Sequence, residues 1–162
     1  MKNKGFSLVE LIIVIAIMAI LAAAIAPALI RYIDKSRKAD DVSAAETINT
    51  AVSAALANED AYSQAADYMT GVIIADADPG DPFAKASGIT GDVNVLLDDV
   101  NSSCGGAAPK LKYTKAITPG GTDKPTKWFF GINVSGKPIV GLEKGSASST
   151  VILQPDIDAS YK

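Results

Sequence analysis

The 162-residue chain has no histidine and a single cysteine, Cys104. Without histidine there is no Ser-His-Asp or Cys-His machinery and no histidine-ligated metal site. One cysteine excludes an intramolecular disulfide and a cysteine-built metal cluster. Two further absences are local. No charge occurs from Leu11 to Ile30, and neither glycine nor proline occurs from Ala28 to Thr70. The composition, with 48% apolar residues, 20% charged residues, 13 Gly and 8 Pro, fits neither disorder nor a collagen-like repeat. A length of 162 residues suits about one domain with a modest core.

What is present is unevenly distributed. Of the 25 residues from Phe6 to Ile30, 22 are apolar, against 55 of the 132 from Arg31 onward. As a helix rising 1.5 Å per residue the first stretch spans about 37 Å, enough to cross a hydrocarbon core with some tilt. A buried core helix is the alternative, but such helices are seldom apolar on every face for this length. Two residues stand out. Glu10 is an ionisable side chain at the start of the apolar run, costly in lipid unless it serves a purpose or reaches the headgroups. Pro27 removes a backbone donor and is expected to kink or loosen the helix near its far end.

The net charge of −3 offers no general case for nucleic-acid binding. Its layout is blocky. Lys2 and Lys4 precede the apolar run, and Arg31, Lys35, Arg37 and Lys38 against Asp34 follow it with +3. Residues 39–109 carry twelve acids and only Lys85, while residues 110–162 carry eight lysines and four acids. A solvated surface accounts for this layout, as does an acidic region meeting a basic region on a neighbouring copy.

The start reads Met-Lys-Asn-Lys-Gly5-Phe6-Ser7-Leu8-Val9-Glu10, then the apolar run. It resembles the class III signal of type IV pilins and type II secretion pseudopilins. The resemblance implies that a prepilin peptidase cuts between Gly5 and Phe6, that the new Phe6 amine is N-methylated, and that Glu10 is the fifth mature residue. Pro27 then falls where many of these proteins also have proline. The resemblance is specific from Gly5 to about Lys38. It also gives Glu10 a role, since its carboxylate can pair with the Phe6 amine of a neighbouring or the same subunit and set helix register. A conventional secretory signal competes, with Ala22-Ala23-Ala24 as its cleavage site, but it would discard the matched segment. The +3 cluster beyond the span rivals the two leader lysines and by itself favours the opposite orientation to the one the signal implies, with the N-terminus cytoplasmic.

Beyond Ile30, Val42, Ala45, Ile48, Val52, Ala55 and Leu56 recur at three- and four-residue spacing. They predict one helix from Phe6 to Ala57, apolar throughout its first half and amphipathic in its second. A coiled coil fits less well because the heptad is not sustained. Asp60 is a candidate cap for a second helix, Ala61 to Met69, ending at Gly71. Gly71 to Pro109 reads as an irregular region with two short apolar runs, Val72–Ala75 and Val93–Leu97. Within it, Asp76, Asp78 and Asp81 suggest calcium, but turn chemistry explains Asp78-Pro79-Gly80-Asp81 without a metal. Alternation predicts strands at Leu111–Ile117, around Trp128, Phe130, Ile132 and Val134, at Pro138–Leu142 and at Val151–Leu153. Trp128 and Phe130 read as sheet core.

Two features depart from the resembled family. Cys104 cannot form the C-terminal disulfide found in many Gram-negative pilins, and Ala19 stands where the membrane helix usually has glycine. Asn101-Ser-Ser103 and Asn133-Val-Ser135 match the N-glycosylation pattern, which is frequent by chance.

The expected fold is α+β, a long N-terminal helix packed on a small antiparallel sheet of three or four strands. The expected organisation is a leader at 1–5, a membrane half of the long helix at 6–30 and an amphipathic half at 31–57. A short helix and connecting region at 58–109 and the sheet at 110–162 complete it. The resemblance implies a structural subunit of a type IV pilus or pilus-like filament, not an enzyme, with no cofactor, catalytic residue or metal. Alternatives are a pseudopilin of a secretion or DNA-uptake system, or a minor tip adhesin. Implied partners are other copies of the chain, a prepilin peptidase, an assembly ATPase and a membrane platform protein. The implied location is the cytoplasmic membrane before assembly and the cell surface afterwards.

Overall fold

A computed structural model describes residues 5–118 and 120–162, so Lys2 and Lys4 of the expected leader lie outside the described residues. The chain divides into two compact units, Met1–Ser36 and Arg37–Lys162.

Helix α1 runs from Leu8 to Ala55, a little inside the predicted bounds at both ends. In the first unit its large apolar residues from Leu8 to Leu29 are 50–73% exposed, and none of the described residues there is buried. Among the described residues it is the one helix long and apolar enough to cross a membrane. The helix continues through Pro27. Lacking an N–H, Pro27 leaves the Ala23 carbonyl without its helical partner.

In the second unit the amphipathic stripe is buried at Asp41, Ala45, Ile48, Ala51, Val52 and Ala55. Its small side chains let other elements approach closely, while Ile48 and Val52 fill the space. Helix α2, Glu59–Ala66, is capped by Asn58, whose side chain accepts from the Asp60 N–H, and so starts two residues before the predicted Ala61. Helix α3, Asn94–Ser103, takes up the Val93–Leu97 run. Its first free N–H groups, at Val95 and Leu96, donate to the Gln64 side chain of α2.

The sheet has five strands, one more than the upper expectation. They are β1 (Ile73–Ala77), β2 (Ala84–Lys85), β3 (Pro125–Ile132), β4 (Pro138–Lys144) and β5 (Ser146–Gln154). The order is β2-β1-β3-β4-β5, antiparallel throughout. The sheet thus draws β1 and β2 from the region read as irregular. Ile74, Ala75 and Ala77 of β1 are buried, and Ala75 opposes Phe130 across the ladder. Conversely, Leu111–Ile117 is not a strand. Its alternation arises because Tyr113 and Ile117 are anchors of an irregular segment, both buried.

Trp128 and Phe130 are fully buried, as expected, and the Trp128 indole N–H donates to the Pro109 carbonyl at 2.7 Å. Phe130 meets Phe83 edge-on at 5.2 Å between ring centres. Phe129 on the opposite face is also buried, its ring against Gly141 of β4. Gly141 is required there, because a Cβ would collide with the Val151 carbonyl oxygen and that ring. The Asp78–Asp81 segment is a turn closed by the Asp81 N–H on the Asp78 carbonyl at 3.0 Å. Gly80 has φ +97°, the left-handed conformation expected after proline in such a turn.

Candidate assembly site

The sequence-designated residues Gly5, Phe6 and Glu10 lie together at the start of α1, and Pro27 lies inside the helix, well along it. Gly5, Phe6 and Ser7 precede the helix and are exposed. Among the described residues beyond its chain neighbours, no heavy atom lies within 4 Å of a Cβ built on Gly5. The peptide bond between Gly5 and Phe6 thus joins two exposed residues that precede α1. The Phe6 side chain is 86% exposed.

Glu10 does something the sequence reading missed. Its Oε2 accepts the Ser7 backbone N–H at 2.9 Å. The Ser7 hydroxyl oxygen in turn accepts the Val9 N–H at 3.3 Å, and the Ser7 carbonyl accepts the Leu11 N–H at 3.2 Å. This is a variant of the capping box: Glu10 reaches back to the Ser7 N–H, while the Ser7 hydroxyl takes the N–H of Val9 rather than that of Glu10. The signal was legible as Ser-x-x-Glu just before an apolar run. An acid in the first turn also faces the positive end of the helix dipole. The carboxylate is thus held one residue away from the Phe6 nitrogen.

A second constellation sits in the Arg37–Lys162 unit, around Asp41. This residue is fully buried. Its two carboxylate oxygens accept the Lys112 N–H at 2.7 Å, the Tyr113 N–H at 2.9 Å and the Tyr161 hydroxyl at 2.7 Å. The Lys38 ammonium lies over the Tyr113 and Tyr161 rings, 5.1 and 5.2 Å from their centres, and the two rings meet edge-on at 6.0 Å. Burial, then the bond to Asp41 and its charge, push the Tyr161 hydroxyl far above its ordinary range. The cluster joins α1, the segment before β3 and the terminal 3₁₀ turn Ala159–Tyr161. One carboxylate thus ties the 3₁₀ turn at Ala159–Tyr161 to α1. In the sequence, Asp41 was visible as an acid in register with the stripe at Ala45, Ile48 and Val52.

The remaining candidates have local contacts of their own. Lys127 pairs with Asp76 at 3.2 Å and approaches Asp78 at 3.9 Å, and the bond to Asp76 raises its pKa. Burial, then the Asp76 charge, raise that of Glu143. Among the described residues, no three His, Cys, Asp or Glu side chains are grouped as metal ligands. Asn101 exchanges two hydrogen bonds with the Phe83 backbone, and the Asn133 side chain accepts from Ser135 and Lys137 in the β3–β4 turn. Cys104 is half-buried, and desolvation pushes its thiol up.

Comparison with known proteins bears on the family of the chain. The family profile described as the prokaryotic N-terminal methylation motif matches residues 1–26. A type IV major fimbrial protein FimA of Dichelobacter nodosus is 39% identical over 71 residues, covering 44% of this chain and 44% of that protein. Two fimbrial proteins of the same organism are each 33% identical over longer stretches. One alignment spans 72% of this chain and 76% of the relative, the other 75% and 74%. No solved structure matches. The alignments extend past the methylation motif into the globular unit, and the chain belongs to the type IV pilin family.

Proposed function

We propose that this chain, a structural pilus subunit, is cut between Gly5 and Phe6, N-methylated at Phe6, and assembled through its apolar helix under the direction of Glu10. The observation that carries the reading is the placement of Glu10. It is the only charge between Lys4 and Arg31, and it lies in the first turn of α1 next to Phe6.

The chemistry follows from what cutting changes. Before cleavage the Phe6 nitrogen is a neutral amide, and the Glu10 carboxylate is satisfied by the Ser7 N–H. That bond lowers the cost of holding a carboxylate near lipid, because a charge-assisted hydrogen bond replaces part of its hydration. Cleavage creates an ammonium at Phe6. The carboxylate then has a cation to pair with, on its own chain or on the next subunit. Between packed apolar helices an unpaired carboxylate is strongly unfavourable, so only registers that bring it to an ammonium survive. The exposed side chains from Leu8 to Leu29 supply the packing surface, first for lipid and then for other copies.

In this reading a prepilin peptidase makes the cut, and an assembly ATPase and a membrane platform protein drive extraction. The N-terminus faces the cytoplasm while the subunit waits in the cytoplasmic membrane, and the globular unit reaches the cell surface in the filament. No catalytic step, cofactor or metal is assigned to the chain. The test is Glu10→Leu expressed as the only copy of the subunit. The variant is expected to be processed and membrane-inserted but to form no filaments. Filaments of wild-type number and length would refute the role of Glu10.

A further inference from the structure

Helix α1 stops short of the Gly5–Phe6 bond, and one side chain accounts for where it stops. In an α-helix each N–H donates to the carbonyl four residues earlier. A helix reaching further back would therefore set the Val9 N–H on the carbonyl of Gly5, the carbonyl at which the proposed cut takes place. Instead the Val9 N–H donates to the Ser7 hydroxyl oxygen at 3.3 Å. The backbone ladder of α1 then opens with the Leu11 N–H on the Ser7 carbonyl at 3.2 Å. Gly5 and Phe6 lie before the helix and are exposed.

The Ser7 hydroxyl and the Gly5 carbonyl thus compete for one donor. Without the hydroxyl, the Val9 N–H is an orphan of the first turn, and the helical way to satisfy it is the Gly5 carbonyl. Taking that acceptor winds Phe6 and Ser7 into the helix and closes the Gly5 carbonyl into a hydrogen-bonded turn. Hydrolysis adds water to the Gly5 carbonyl carbon, breaks its bond to the Phe6 nitrogen and moves a proton to that nitrogen. The products are a carboxylate at Gly5 and an ammonium at Phe6. A carbonyl wound into a turn is shielded from that addition. Glu10 stands outside this competition. Its Oε2 holds the Ser7 N–H, which a longer helix would also leave without a backbone partner.

We propose that Ser7 is a positioning residue for the processing cut, a role that rests on cleavage between Gly5 and Phe6. Its hydroxyl caps α1 at the Val9 N–H and so keeps the scissile carbonyl out of the helix. The two polar side chains at the helix start then divide the work. Ser7 acts before the cut, by presenting the bond, and Glu10 acts after it, by pairing with the ammonium that the cut creates.

The test follows cleavage of the full chain in detergent micelles by a purified prepilin peptidase, for the wild type and for Ser7→Ala, Ser7→Thr and Ser7→Asn. Mass spectrometry reads the new N-terminus. Alanine removes the cap, threonine keeps it, and asparagine keeps it without a hydroxyl. Ser7→Ala is expected to be cut about fivefold more slowly, the population change that loss of an ordinary cap brings. Ser7→Thr and Ser7→Asn are expected to stay close to the wild-type rate. In the same micelles the carbon-13 shift of the Gly5 carbonyl should move toward its helical value in Ser7→Ala and stay in place in Ser7→Asn. Ser7→Ala cut as fast as the wild type would overturn the role of Ser7, as would Ser7→Asn cut as slowly as Ser7→Ala. Slow cutting of Ser7→Ala with an unmoved Gly5 carbonyl would overturn it too. A wild-type chain left uncut between Gly5 and Phe6 would instead overturn the processing reading itself.

Discussion

The Tyr161 hydroxyl donates to the Asp41 carboxylate at 2.7 Å, and both residues are buried, 120 positions apart in the chain. Two backbone N–H groups, of Lys112 and Tyr113, complete the shell of that carboxylate. Removing it takes the acceptor from the buried bonds of the Tyr113 N–H and the Tyr161 hydroxyl and from the part-buried bond of the Lys112 N–H, at a cost well above that of one exposed hydrogen bond. Asp41→Ala is therefore expected to destabilise the globular unit by about 3 kcal/mol, and Tyr161→Phe by about 1 kcal/mol. Denaturant titration of the detergent-solubilised chain measures both. Equal, small losses would contradict the central place given to Asp41.

The same pair makes stability sensitive to alkali. The folded-state pKa of Tyr161 is raised, by burial first and by Asp41 second, above the ordinary value near 10. A raised value means that folding favours the protonated hydroxyl. Its contribution is complete below pH about 10 and is lost as pH climbs beyond that. Melting temperature should fall above this point in the wild-type chain and fall less steeply in Tyr161→Phe. Parallel slopes in the two proteins would rule out Tyr161 as the cause.

Gly141 is needed because of its neighbours. An added methyl group meets the Val151 carbonyl oxygen on one side and the Phe129 ring on the other, and the first of these is backbone that cannot rotate away. Gly141→Ala is expected to cost about 2 kcal/mol or more through displaced β4–β5 pairing. Gly136→Ala has open space around it but a φ of +73°, so it tests backbone strain without collision and should cost about 1 kcal/mol. Thermal melts of the two variants distinguish the mechanisms.

Cys104 should be slow to react. Its thiol is half-buried and desolvation raises its pKa, so little thiolate is available at neutral pH. Alkylation by iodoacetamide, followed by mass, is expected to be at least about tenfold slower in the folded chain than in urea. Equal rates would show an open thiol.

Local patterns carried much of this architecture in the sequence. The stripe at Ala45, Ile48 and Val52 and the uncharged run from Leu11 both describe α1 to within two residues at each end. Trp128 and Phe130 were readable as core because their alternation coincides with turn residues at Ser135-Gly136. What failed to show was non-local. Strand β1 is five residues whose reason to be a strand is β3, some fifty positions later. Tyr113 alternates like a strand residue, but its backbone N–H belongs to Asp41, 72 positions earlier. Asp41 itself counted only as one acid among many, since its partners come from distant segments. The helix start was different, because Ser7 and Glu10 spelled a capping box whose second meaning overlaid the first.

Assembly directed by Glu10 depends on a cut that turns the Phe6 amide into an ammonium beside it. Mass spectrometry of the N-terminal peptide from filaments sheared off the cell surface tests this most directly. The prediction is a peptide beginning at Phe6 and carrying one added methyl group on its amine. A peptide beginning at Met1, or at Ile25 after cleavage behind Ala22-Ala23-Ala24, would contradict it.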